Sequence, residues 1–334
     1  MTLADLATPA LVVEAAALES NLATMAAALP GPRLRPHVKA HKCTRLATRQ
    51  AALGHRGFTC ATVREMEGLA RAGLGADLLL ANEILDAKRL FGLARLDARV
   101  TLAVDSSETI AAAARAGLRE VLIDVEVGLP RCGCPPDRAG ALADEARRSG
   151  LVVRGVMGYE GHVVGVEDRD RRATETRRSM ELLLAAHAVT GGEIISAGGT
   201  GTFDQNTWAT EIQAGSYALM DTAYERLGLP FVCALSILAT VVSRRADWAV
   251  ADCGLKALGM DHGNPRIDDH AVWFCSDEHT TFGGPEGAPP TVGVGDRIRL
   301  WPAHVDPTVA YHEELHVIDG ERVLESWPID LRGW

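Results

Sequence analysis

Short apolar runs alternate with helix-forming segments through most of this chain, and no other feature narrows its fold as much. Eight runs, at 33–40, 57–61, 77–81, 99–104, 120–125, 152–158, 193–197 and 211–215, are each followed by a stretch of helical character. The stretches at 62–73, 83–92, 107–117, 136–149 and 169–189 place apolar residues three and four apart, and several end in glycine, as helix termini often do. Eight alternations within about 190 residues predict a closed parallel (β/α)8 barrel, with an open doubly wound sheet as the alternative. No GxGxxG follows the first run, which disfavours a dinucleotide-binding open sheet. Ahead of the rhythm, 10–14 reads as a strand and 15–29 as an Ala/Leu-rich helix.

Near residue 229 the texture changes to strand-like runs at 232–243, 248–252, 271–275, 296–301 and 314–328, the last folded on Asp319-Gly320, a two-residue hairpin turn. The expected organisation is a barrel over 9–228 and a smaller all-β C-terminal domain over 229–334, with 1–8 joining the latter; 334 residues suffice for both. Acidic residues outnumber basic ones, 44 to 34, for a net charge of −10, which argues against nucleic acid as a partner. No basic leader precedes an apolar core, and no apolar run reaches bilayer length, so no membrane partner is expected and a cytoplasmic location is the default. Seven scattered cysteines fit reduced thiols, and Cys132-Gly133-Cys134 has the spacing of neither a zinc knuckle nor a redox CxxC.

Through the first run and into the residue after it, Arg35, His37, Lys39 and His41 alternate with smaller or apolar residues, and Pro36 favours extended backbone. A row of cations on one face of a buried strand needs an anion, and a lysine shielded among them is an amine fit for imine chemistry with a carbonyl cofactor. An edge strand with a solvated basic face is the alternative. After the seventh run, Gly198-Gly199-Thr200-Gly201-Thr202 outlines a cradle of backbone N–H groups and hydroxyls for an anion, and Gly215-Ser216-Tyr217 closes the eighth run in a similar way. A flexible turn is the other reading of both. Arg131 follows the fifth run, and Tyr159 and His162, in Gly158-Tyr159-Glu160-Gly161-His162, follow the sixth. At a barrel mouth these are candidates for ring positioning and general acid–base work, against ordinary loop packing. In the C-terminal part, His304 and Asp306 lie two apart in what reads as extended chain, a spacing that suits a divalent ion. A solvated pair has the same signature.

Together, Arg35-Pro36-His37-Val38-Lys39-Ala40-His41-Lys42, the Gly198-Gly199-Thr200 loop, Gly215-Ser216-Tyr217 and His304-Val305-Asp306-Pro307-Thr308 resemble the fold-type III pyridoxal-phosphate enzymes of the D-threonine aldolase and metal-dependent D-serine dehydratase family, related to alanine racemase. The resemblance covers nearly the whole chain, and its first and last motifs are the specific ones. It implies a homodimer with the active site near its interface and an amino acid as substrate. Pyridoxal 5'-phosphate would sit on Lys39, with His37, Arg131, Tyr159 and the glycine loops around it, and a divalent ion (Mn, Mg or Zn) would sit on His304 and Asp306. An aspartate at the second metal position looks like the aldolases, where a cysteine looks like the dehydratases. The expected reaction is therefore cleavage of a D-β-hydroxy-α-amino acid to glycine and an aldehyde, with His162 or metal-bound water as the base. The pattern around Tyr159 is similar to that of the 3-hydroxy-D-aspartate aldolases. Dehydration of D-serine or 3-hydroxy-D-aspartate is the alternative. A racemase leaves His304 and Asp306 unexplained, and a non-catalytic cofactor carrier leaves the second domain unexplained.

Overall fold

Strands of a parallel sheet buried on both faces read as continuous apolar runs, and seven of the eight runs form one parallel sheet in the computed structural model, which describes residues Met1–Trp334. Its strands are Gly57–Cys60, Asp77–Leu80, Val100–Val104, Glu120–Asp124, Val152–Met157, Ile194–Ala197 and Glu211–Ile212, each parallel to the next. The remaining run closes the circle: Leu34 bridges Ile212 and His37 bridges Thr59, both in parallel. Arg35 N–H donates to Ile212 O at 2.9 Å and Thr59 N–H to Pro36 O at 2.9 Å. The fold is the expected barrel, its interior packed by Leu79, Ala103, Leu122, Met157 and Ile194.

The closing run is extended only in part. After His37 it coils into a 3-10 turn, Val38–Ala40, so the two-residue alternation meant to align Arg35, His37, Lys39 and His41 stops at His37. The buried row does meet an anion at Arg35. Its Nε donates to Glu211 at 2.8 Å and its Nη2 to Asp77 at 2.9 Å. Arg154 reaches the same Asp77 at 2.7 Å. Burial would raise the Asp77 carboxyl, but the hydrogen bonds and charges of Arg154 and Arg35 outweigh it and hold it at about 2. All three groups belong to the N-terminal ends of the strands, which in barrels serve stability. Asp77→Asn is expected to cost about 3 kcal/mol near neutral pH, because it takes the shared carboxylate from two buried guanidinium groups, leaving Arg35 with Glu211 and Arg154 with Glu120, Glu193 and Thr101. A carboxyl held below its ordinary value stabilises the fold above that value and loses the effect as pH falls through its folded one. In denaturant unfolding, the gap between wild type and Asp77→Asn should therefore narrow as pH falls from about 4 toward 2.

The chain divides into two compact units. The barrel lies in Met25–Lys39, Leu46–Gly215 and Leu331–Trp334, and the other unit comprises Met1–Thr24, Ala40–Arg45 and Ser216–Asp330. Strand Ala10–Glu14, expected with the barrel, pairs antiparallel with Leu235–Arg244 and parallel with Glu314–Asp319 in the second unit's eight-stranded sheet. Leu3, Leu6, Ala10, Val12, Leu238 and Ile318 share one core there. The hairpin of Glu314–Asp319 and Arg322–Pro328 turns on Gly320 and Glu321, one residue later than expected, with Gly320 at φ 58°. This unit is mostly strand, not all β. His304 and Asp306 do not share an extended segment: helix Val305–Tyr311 begins between them, with His304 as its N-cap residue and Asp306 in its first turn. Asp221 secures that start by accepting from Val305 N–H at 2.9 Å, and Pro307 is tolerated in a first helical turn, where its missing N–H has no intrahelical role.

Candidate active site

Because the barrel strands are parallel, the residues that follow them gather at one end. Lys39 follows the closing segment, Arg131 follows Glu120–Asp124, Tyr159 and His162 follow Val152–Met157, and the Gly198 loop follows Ile194–Ala197. Lys39 is half-buried, its N–H 3.5 Å from His37 Nδ1. The Arg131 guanidinium sits 5.5 Å from the centre of the Tyr159 ring. That ring lies against the glycine loop, since a Cβ added to Gly199 would be 3.4 Å from Tyr159 Cε2. His162 is exposed and packs on the backbone of Gly128, where an added Cβ would lie 2.6 Å from its ring. The structure thus brings Arg131, Tyr159 and Gly199 together. It differs from the expected cradle in one respect: the N–H groups of Gly198 and Gly199 donate to Glu160 and to the Thr202 hydroxyl, at 3.1 and 3.2 Å.

Three acidic residues at this end were not singled out from sequence. Asp124 ends its strand fully buried, and its carboxyl is pushed well up by burial, then by the charge and hydrogen bond of Glu83, against the opposing charge of Arg131. Glu83 also binds the Cys132 thiol, which this bond and burial push up to about 12. Burial and the charge of Asp124 do the same to Cys134, also to about 12, so neither is a nucleophile near neutral pH. Glu160 is fully buried. An acid ending an apolar barrel strand was a visible signal for Asp124, but nothing in the sequence marked Glu160 as buried.

The second unit holds the other candidates. Asp306 Oδ1 accepts from the Ser216 hydroxyl at 3.3 Å, which joins two of the residues singled out from sequence. His304 Nδ1 is 2.7 Å from Asp261 Oδ2, and the His262 ring stacks on it at 4.0 Å with 9° between planes. One donor atom from each of Asp261, His262 and His304 lies within 4.8 Å of the others. Burial would raise the Asp261 carboxyl, but its hydrogen bond to His304 outweighs that and holds it low. The cluster depends on close backbone approach: Gly259 bridges His304, and a Cβ there would lie 2.3 Å from Pro307. Tyr217 is fully buried, its ring 5.8 Å from that of Phe231. Gly215 ends the barrel unit, and Ser216 and Tyr217 begin the second. Asp261 and His262 were not singled out from sequence, although the run Asp261-His262-Gly263 is as ligand-rich as the one that was.

Residues 13–223 match the alanine racemase N-terminal domain model, and residues 234–318 match a serine dehydratase domain model. D-threonine aldolase of Arthrobacter sp. is 35% identical over 99% of this chain and 94% of its own length. 3-Hydroxy-D-aspartate aldolase of Paracoccus denitrificans (strain Pd 1222) is 32% identical over 98% of this chain and 93% of its own length. The crystal structure of D-threonine aldolase from Filomicrobium marinum superposes with a TM-score of 0.94 at 34% identity, covering 99% of this chain and 97% of that one. No helix is long and apolar enough to cross a membrane.

Proposed function

The chain belongs to the alanine racemase-like, fold-type III family that contains the D-threonine and 3-hydroxy-D-aspartate aldolases, and from that premise we propose that it is a lyase cleaving D-β-hydroxy-α-amino acids to glycine and an aldehyde. The observation that carries the choice of reaction is Asp306, an aspartate beside His304 in a chain similar along its whole length to an aldolase. When bound, pyridoxal phosphate supplies an electron sink at Cα, and a divalent ion supplies Lewis acidity at the β-hydroxyl.

The residues present suit both groups. Lys39 offers its amine at the barrel's C-terminal end, while Arg131 and Tyr159, one above the other, are set to orient a planar ring. The loops at Gly198-Gly199-Thr200 and Gly215-Ser216-Tyr217 are the candidates for the phosphate, with His37 next to the lysine turn. His304 and Asp306 form an imidazole and carboxylate donor set of the kind that Mn, Mg or Zn accepts. The hydrogen bond to Asp261 occupies Nδ1 of His304, which would leave Nε2 for an ion and steady the ring, as outer carboxylates commonly do for metal-bound histidines. His162, exposed and following strand Val152–Met157, is the side chain we propose as the base for the β-hydroxyl proton. Seven free cysteines fit a reducing cytoplasm, and a homodimer is the assembly we propose, by family likeness.

Purified protein incubated with D-threonine, D-phenylserine and 3-hydroxy-D-aspartate should release glycine and the matching aldehyde. Oxo acid and ammonia from D-serine or 3-hydroxy-D-aspartate, with no aldehyde, would instead make the enzyme a dehydratase, and loss of optical activity alone would make it a racemase.

A further inference from the structure

We infer that Glu160 is a positioning residue for cofactor phosphate, a buried brace that sets the shape of the Gly198–Thr202 loop; this rests on the reading of that loop given above. Glu160 is 0% exposed. A carboxylate taken wholly out of water is retained only where donors replace its hydration, and here there are three. Oε2 accepts from Gly198 N–H at 3.1 Å. Oε1 accepts from the Thr202 hydroxyl at 3.0 Å and from Asn206 Nδ2 at 3.1 Å. The Thr202 oxygen in turn accepts from Gly199 N–H at 3.2 Å. Both glycine N–H groups are thereby tied to one carboxylate, Gly198 directly and Gly199 through a hydroxyl relay, in a chain of bonds that polarise one another.

The shape of the loop requires glycine at two positions. Gly198 stands at φ +80°, and a Cβ on Gly201 would lie 1.9 Å from Val164 O. The same short segment carries Tyr159 and His162 on either side of Glu160, and Tyr159 rests on Gly199. One carboxylate therefore fixes the spacing between the ring-positioning loop and the anion loop. A neutral apolar residue would fill the volume more cheaply, so the charge is explained by its grip on the loop.

Glu160→Gln keeps the size but not the bonding. With its oxygen toward Thr202 and Asn206, its amide faces Gly198 N–H, donor against donor; flipped, the amide faces Asn206. Full-length protein stripped of cofactor is titrated with pyridoxal phosphate and with pyridoxal, which lacks the phosphate, following Kd by absorbance and the melting temperature in parallel. Wild type is expected to prefer pyridoxal phosphate. In Glu160→Gln that preference should fall roughly tenfold or more, the scale of one unmade buried hydrogen bond, with the pyridoxal Kd within about twofold of wild type. Thr202→Val should act in the same direction and Thr202→Ser should restore the preference, which decides the matter if Glu160→Gln does not fold. Equal losses for both ligands would make Glu160 a scaffold residue. An unchanged preference, or a stronger one because a negative charge has been removed, would equally overturn the brace. Wild type that binds both ligands alike would refute the phosphate reading of the loop, and wild type that binds neither would refute the proposed function, and in each case the brace falls with it.

Discussion

Lys39→Ala is expected to remove the absorbance band at the visible edge and to lower aldolase activity by at least about 1,000-fold, the scale on which loss of a covalent catalytic group registers. The expectation follows from where the amine sits. It follows the segment that closes the barrel between Glu211–Ile212 and Gly57–Cys60, so it stands at the end where barrel enzymes keep their reactive groups. The 3-10 turn Val38–Ala40 lifts it out of the strand, and it is half-buried, not fully exposed. The fold should survive the change, because the bonds that close the barrel are made by the backbone at 35–37 and by the Arg35 side chain. An intact melting transition beside a lost band would thus separate chemistry from folding. Survival of the band in a folded Lys39→Ala protein would mean that another amine carries the cofactor.

What the sequence disclosed follows from the range over which each feature is determined. The barrel strands were legible because burial on both faces makes a run such as Leu78, Leu79 and Leu80 apolar throughout, all three being at most 1% exposed. Helix ends were legible where the signal is local: Thr62 caps Val63–Arg71 through a capping box with Glu65, and Gly117 ends Ser107–Ala116 at φ 84°. The closing run misled because the partners of Arg35 lie 42 and 176 residues away. No spacing within 33–40 shows that Asp77 and Glu211 meet it, nor that the chain coils into a 3-10 turn after His37. The pair at His304 and Asp306 misled for the same reason, since the carboxylate that starts their helix is Asp221, 84 residues earlier in the chain. A local clue was nonetheless present: Asp306-Pro307 is a good first helical turn. Glu160 was invisible because a glutamate between glycines looks solvated until the loop that covers it is seen.

Removing the proposed metal should separate its part in the reaction from that of the proposed cofactor. Prolonged dialysis against a chelator is expected to lower cleavage at least about 100-fold, within the range that one acid–base or Lewis-acid contribution supplies, while the visible-edge band stays. The donors proposed for the ion and the amine proposed for the cofactor are different side chains, His304 and Asp306 against Lys39. Full recovery should follow on adding back a divalent ion. His304→Ala should reproduce the loss without a chelator and resist rescue, because half of the protein donor pair is gone. Asp261→Asn is the more discriminating change. Its carboxylate, 2.7 Å from His304 Nδ1, orients the ring without being needed as a ligand. The variant should therefore bind metal roughly 10- to 100-fold more weakly yet regain most activity at saturating ion. If Asp261 were itself a ligand alongside His262 and His304, whose donor atoms cluster within 4.8 Å, His262→Ala would weaken metal binding to the same degree as Asp261→Asn. Under the arrangement proposed here His262→Ala leaves the metal Kd near wild type, because His262 only stacks its ring on His304. A cleavage rate indifferent to every one of these treatments would leave the His304 and Asp306 pair with no part in the reaction.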